Sequence, residues 1–163
     1  MKSPFIYAGV ALGLALVSAC GGSSYGTPST GSAAPSKAPN GYAATTIDVT
    51  TTKLGRFLVD DQGRTLYLFE ADNGMASNCD SGCAQAWPPL LTSTGDKAGS
   101  GVSAAELGTT TRKDGSTQVT YNGHPLYYFV ADRKPGDTTG QGLNQFGAPW
   151  YVVSPAGNKI DNR

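Results

Sequence analysis

The sequence predicts a mainly β protein. A single compact domain is built from two tandem β-hairpin repeats with short helical turns, after a signal peptide and a flexible linker. Three observations predict this. The heptapeptide LYLFEAD at 66–72 returns at 126–132 as LYYFVAD. Short runs rich in Thr, Val, Tyr and Phe end at turn signals, the strongest being Asn122-Gly123. The first 44 residues contain an apolar run followed by a stretch of small residues and proline, a composition that cannot supply a core.

The repeat is the organising feature. Laid over one another without a gap, residues 49–72 and 109–132 share eleven identities in 24 positions. These include Lys53/Lys113, Gly55/Gly115, Val59/Val119, Gly63/Gly123, Leu66/Leu126, Tyr67/Tyr127, Phe69/Phe129 and Asp72/Asp132. Trp87 and Trp150 fall near the end of each unit, so the copies span about 49–92 and 109–155. Two copies are too few for a solenoid and are expected to pack on one another as one body.

Each copy reads as hairpin structure. In the second, Thr109–Arg112, the turn Lys113-Asp114-Gly115-Ser116, Thr117–Tyr121, the Asn122-Gly123 turn and Pro125–Val130 follow in order. In the first, Arg56–Asp60, Asp61-Gln62-Gly63-Arg64 and Thr65–Glu70 repeat the pattern. In LYLFEAD, the leucines face one side of a strand while Tyr67 and Phe69 face the other, so the strand is expected to be covered on both faces. Ser103-Ala104-Ala105-Glu106 fits a helix-starting capping box, and Ala84–Trp87 fits a helical turn stopped by Pro88-Pro89.

The N-terminus carries targeting information. Lys2 precedes the apolar run Phe5–Val17, which is too short to span a bilayer but suits a signal-peptide core. It ends in Val17-Ser18-Ala19-Cys20, which resembles the lipobox of bacterial lipoproteins. That resemblance implies removal of residues 1–19 and lipidation of Cys20. Two acyl chains would anchor the protein stably where one would hold it marginally. The lipidated cysteine and the Ser/Gly/Pro/Thr-rich linker occupy 20–44, and the folded domain 45–163. The expected location is extracytoplasmic, with the protein lipid-anchored to a bacterial membrane.

The doubled Y-x-F-x-x-D pattern (Tyr67, Phe69, Asp72 and Tyr127, Phe129, Asp132), with Cys79, Cys83 and Trp87-Pro88-Pro89, resembles the secreted-repeat lipoproteins of bacteria. The resemblance covers nearly all of 49–155. That family is functionally uncharacterised, so the resemblance implies location and architecture and no activity.

Formal net charge is zero, with both signs interspersed, and no basic stretch points to nucleic acid. With Cys20 assigned to lipid, Cys79 and Cys83 remain as a pair, read as a structural disulfide in an exported protein. Redox use is the sharper alternative. The spacing is C-x3-C, and no cationic residue stands nearby in the sequence to activate a thiol. His124 is the single histidine, which leaves a His-based metal site without its second ligand. Asp60, Asp61, Asp72, Asp80 and Asp132 fit no calcium-loop pattern. No metal site, cofactor or catalytic residue is assigned.

At the end of each hairpin strand, Asp72 and Asp132 are placed to accept hydrogen bonds from the following turn or from a buried tyrosine, a structural role. The functional alternative makes Tyr and Asp the polar groups of a ligand pocket, one per repeat. Trp87, Trp150, Tyr121, Tyr128 and Tyr151 are assigned to the core, with exposed stacking on a sugar or a partner as the rival. The reading is a cell-envelope β domain for binding or scaffolding. Its partners would be the membrane through the anchor and an envelope protein, cell-wall or small-molecule ligand bound in the loops Asn73–Cys83 and Arg133–Gly147. The rival is an envelope redox or cofactor-binding protein, or an enzyme, using Tyr/Asp and the cysteine pair.

Overall fold

The computed structural model describes residues 42–161. Cys20, the signal peptide and the linker up to residue 41 lie outside the described residues. The described chain is mainly β, with nine strands and one short helix. In order these are β1 (Thr46–Thr52), β2 (Gly55–Asp60), β3 (Tyr67–Phe69), α1 (Gly82–Ala86), β4 (Lys97–Ala98), β5 (Leu107–Thr111), β6 (Thr117–Tyr121), β7 (His124–Pro125), β8 (Asn144–Gln145) and β9 (Ala148–Val152). They form three small three-stranded sheets, ordered β2-β1-β4, β3-β9-β8 and β5-β6-β7.

The expected β5–β6 hairpin is present, a β1–β2 hairpin not expected from the sequence joins it, and the expected strands Thr65–Glu70 and Pro125–Val130 are shorter, as β3 and β7. Antiparallel β1 and β2 pair from Ile47↔Asp60 to Thr52↔Gly55, and β5 and β6 from Leu107↔Tyr121 to Thr111↔Thr117. Asn122 and Gly123 both hold positive φ, 47° and 77°, between the paired Tyr121 and His124. That is the two-residue turn whose twist matches its strands, and it explains why Asn-Gly stands there. Ser103–Glu106 does not start a helix. Glu106 N–H donates to the Ser103 carbonyl in a single turn, and β5 begins at the next residue. The segment has no apolar helical stripe to bury, so strand pairing takes over.

The gapless superposition of the two copies requires one correction. The first hairpin turn has two residues in copy one (Lys53, Leu54) and three in copy two, where Arg112 N–H donates to Ser116 O. The second turn reverses this. Asp60 N–H reaches Arg64 O across three residues, while copy two uses only Asn122-Gly123. The two differences cancel, which is why the sequence aligns without a gap. The strand between them is displaced by one residue, so Leu58, and not Val59, is the counterpart of Val119.

That displacement exposes the main architectural fact. Leu58 N–H donates to Val153 O (2.8 Å) and Val153 N–H to Leu66 O (3.3 Å), so the tail of copy two completes the hairpin of copy one. Val119 N–H donates to Leu90 O (2.9 Å) and Leu90 N–H to Leu126 O (2.9 Å), so the tail of copy one completes the hairpin of copy two. The exchange continues outward. β9 pairs with β3 through Phe69↔Trp150, while Tyr128 N–H donates to Pro88 O and Val130 N–H to Ala86 O. At the centre, Tyr67 and Tyr127 exchange both backbone hydrogen bonds, at 2.9 and 3.0 Å. The copies are related by a pseudo-twofold axis through this pair.

Alternation along the central strands divides the apolar residues between two cores, as LYLF predicts. Leu66, Leu68, Leu126 and Tyr151 join Ile47, Leu58, Val119 and Tyr121 on one face. Tyr67, Phe69, Tyr127 and Val152 join Phe57, Trp87 and Trp150 on the other. Each core draws from both copies. Fragments 42–105 and 106–163 are therefore expected to be unfolded separately by circular dichroism and to regain β structure when mixed. A fragment that folded alone would contradict the exchange.

Candidate functional site

The duplicated motif sits at the pseudo-twofold axis, and its polar partners cross between copies. Antiparallel pairing of Tyr67 with Tyr127 carries each side chain past the axis to the far end of the other strand. Tyr67 OH donates to Asp132 Oδ2 (2.6 Å), and Tyr127 OH donates to Asp72 Oδ2 (2.8 Å). The remaining carboxylate oxygens close the loops that follow. Asp72 Oδ1 accepts from Asn78 N–H (2.7 Å), and Asp132 Oδ1 from Thr139 N–H (2.9 Å) and Thr139 Oγ1 (2.5 Å).

Burial sets the protonation of these groups. It pushes the Tyr67 hydroxyl well above the usual tyrosine range, and the Asp132 carboxylate adds to the effect. Burial also raises Tyr127, and the Asp72 charge raises it further. Both tyrosines remain hydrogen-bond donors at neutral pH, not nucleophiles or bases. Asp72 is pushed up to about 6, chiefly by burial, against the opposing hydrogen bonds from Asn78 and Tyr127.

Beneath the tyrosines runs a column of four rings, Phe69, Trp150, Trp87 and Phe129. Successive centroids are 4.0, 4.0 and 4.1 Å apart, at interplanar angles of 9°, 6° and 23°. Tyr67 meets Trp87 edge-on (5.3 Å), and Tyr127 meets Trp150 edge-on (5.1 Å), repeating the symmetry. Both tryptophans are fully buried, and one residue, Gln145, serves both indoles. Trp87 Nε1 donates to its side-chain oxygen and Trp150 Nε1 to its carbonyl. Gly140 completes the wall, since a Cβ there would lie 2.6 Å from Trp87 and 3.0 Å from Tyr67.

Cys79 and Cys83 are joined by a disulfide, and both cysteines are buried. The sequence places no cation near them, but the fold brings one. Arg112, on the turn after β5, is 6% exposed. It donates to Cys79 O (2.6 Å), Ser77 Oγ (2.7 Å) and Gln118 Oε1 (2.6 Å). Ser77 Oγ–H in turn donates to the Tyr127 hydroxyl oxygen (2.8 Å). A chain Arg112–Ser77–Tyr127–Asp72 thus ties the disulfide loop of copy one to the hairpin of copy two. Sequence reasoning missed Arg112. Its repeat counterpart is Thr52, and that departure from the repeat was the available signal.

Two cavities lie at pseudo-equivalent places. One, of about 270 Å³, is lined by Phe129 and Asp132 with Arg64, Tyr128, Arg133 and Lys134. The other, of about 250 Å³, is lined by Phe69 and Asp72 with Leu68, Glu70, His124 and Lys159. Each takes the motif Phe and Asp from one copy and a turn residue, Arg64 or His124, from the hairpin of the other. Neither joins Tyr67, Asp72 and the cysteine loop, the combination that would favour catalysis. Among the described residues, no group of three or more His, Cys, Asp or Glu side chains could hold a metal ion.

A family model described as a secreted repeat of unknown function matches residues 48–91 and 108–154, more than half of the chain. The chain belongs to this family. The two matched segments are the two structural copies, and each stops at the tail that crosses into the other. The secreted-repeat description agrees with an extracytoplasmic domain, and no described helix is long and apolar enough to cross a membrane. No curated protein and no solved structure matches the chain.

The two motif aspartates are expected to respond differently to amide replacement. Asp132→Asn puts an amide where Tyr67 and Thr139 both donate, and should destabilise the protein by about 1–3 kcal/mol in urea unfolding. Asp72→Asn should cost less at pH 7, because it removes a charge that burial disfavours. The folded Asp72 carboxyl binds its proton more tightly than the unfolded chain does. Its contribution is therefore full below about pH 4 and is lost as pH rises through about 6. Urea midpoints should show Asp72→Asn gaining on the wild type across that interval. A parallel pH course would refute the assignment.

Proposed function

We propose that this secreted-repeat protein is a lipid-anchored binding module of the bacterial cell envelope. Cys20 would carry the lipid, and residues 20–44 would hold the domain off the membrane. The observation that carries the binding reading is that the duplicated motif is consumed by the fold. Its tyrosines and aspartates satisfy one another across the axis and close the flanking loops. What differs between the copies is the rim of the two cavities and the loops Asn73–Cys83 and Arg133–Gly147. A rigid frame with divergent loops is the usual arrangement for recognition.

The anchor is tested by metabolic labelling with a palmitate analogue and by fractionation. The wild type should label and sediment with membranes, and Cys20→Ser should do neither. Label on the Cys20→Ser chain would refute lipidation at that residue. The recognition surface is tested by placing photo-crosslinking residues in the two loops in intact cells. Specific adducts from the loops, absent from control positions on β5, are expected. The absence of adducts at both loops would overturn the module reading.

Burial of both cysteines disfavours the redox alternative, because a working thiol needs access. The disulfide closes a short ring, for which the chain-entropy model gives about 2 kcal/mol. The Cys79→Ser/Cys83→Ser double variant should lose about that much stability and keep its loop adducts. Loss of the adducts with stability unchanged would reinstate the redox reading.

A further inference from the structure

Duplication gives the two cavities a common plan, and the differences between them show what each has become. Counterparts taken across the repeat are Arg64 and His124, Tyr128 and Leu68, Arg133 and Asn73, and Lys134 and Gly74. All three cations, and the added aromatic ring, belong to the cavity of about 270 Å³.

The arginine is preset. Asp60, 1% exposed, accepts from Arg64 Nε (2.7 Å) and lies 2.6 Å from Nη2. The same carboxylate is held by Gln62 N–H, Arg64 N–H and Tyr128 OH. Tyr128 fixes the guanidinium from its other side, with Cζ 4.1 Å from the ring centroid. About half of the Arg64 side-chain surface stays open. A buried carboxylate and an aromatic face therefore hold one planar cation in place before any ligand arrives.

Of the other two cations, Lys134 lies within electrostatic reach of Asp137, and neither is held in a close pair. The backbone N–H groups of Arg133 and Lys134 donate to Asp137 Oδ2 and set the loop (both 2.9 Å). Among the described residues, neither side chain forms a hydrogen bond or a close ion pair. The one carboxylate in the lining, Asp132, is engaged on both oxygens, by Tyr67 on Oδ2 and by Thr139 on Oδ1. The opposite cavity has lost this character, since its Lys159 is paired with Glu70 and lies over Tyr151.

We propose that the Arg64–Arg133–Lys134 cavity is a binding site for a small soluble anion carrying a flat ring. The anionic group, carboxylate or phosphate, would meet the three cations, and the ring would lie against Tyr128 and Phe129. The inference deepens the binding-module reading and rests on it. The cavity volume suits a ligand smaller than a typical drug.

Isothermal titration calorimetry of the purified full-length protein tests the site, with phenyl phosphate and benzoate as probes and benzyl alcohol as the neutral control. Saturable binding of both anions, weakened by added salt, is expected, with no heat from the alcohol. Arg133→Gln/Lys134→Gln keeps both backbone donors to Asp137 and should weaken binding about tenfold or more. Lys159→Gln, in the opposite cavity, should leave it unchanged. An absence of heat at millimolar anion, equal affinity in the double variant, or loss on Lys159→Gln would each overturn the site. Displacement of phenyl phosphate by phosphatidylglycerol at equal phosphate would assign the cavity to a lipid headgroup and overturn the soluble ligand. If loop crosslinks persist while the anions fail to bind, this cavity is wrong and the module reading stands. Loss of the crosslinks as well removes both.

Discussion

Everything in the domain depends on one backbone contact, the reciprocal pairing of Tyr67 with Tyr127. It forces two strands of the same sequence to run antiparallel through one point, and that geometry dictates the rest. Each tyrosine must reach the other copy's aspartate, each tail must cross to the other copy's hairpin, and the four aromatic residues must meet in one column. The hydroxyl–carboxylate bonds then lock the arrangement from above and the stacked rings lock it from below. Long-range contacts therefore carry the stability, and the local hairpins alone bury too little surface to stand.

The asymmetries sit on this symmetric frame without disturbing it. Arg112 has no equivalent in copy one, and it cements the disulfide loop through the Cys79 carbonyl. Buried and almost fully hydrogen-bonded, it would be costly to remove, since its partners would be left unsatisfied. Among the described residues its Nε has no hydrogen-bond partner and meets Asp114 Oδ2 only at 4.0 Å. Asp60, Arg64 and Tyr128 form a second asymmetric cluster on the opposite flank. There a buried carboxylate holds a guanidinium whose other half stays open to solvent.

The sequence carried β2, β3, β5 and β6, the Asn-Gly turn, the duplication and the two-faced central strand, because each is written in local pattern, but not β1 or the crossing tail strand β9. It did not carry which copy a residue serves. Tyr67 lies five positions before Asp72 in the chain, and only the antiparallel pairing sends it to Asp132 instead. The one-residue displacement of β2 was hidden because the two turns compensate in length, leaving an ungapped alignment. The Arg112–Cys79 contact was equally illegible, since it joins residues 33 apart through a loop with no periodic signal. Where the sequence does point past the frame is in its departures from the repeat, at Thr52/Arg112, Leu68/Tyr128 and Gly74/Lys134.

The reciprocal exchange of tails has a consequence for how such chains can be assembled. A single copy ends in a strand that finds no acceptor within itself and begins with a hairpin that lacks its wedge. It is half of an object, and its natural unit is the pair. Two identical single-copy chains would satisfy one another by the same contacts that operate here, so this chain is in effect a homodimer fused into one polypeptide. By this geometry, further units would be accommodated in pairs. A chain with an odd number would leave one hairpin open, to be closed by another molecule.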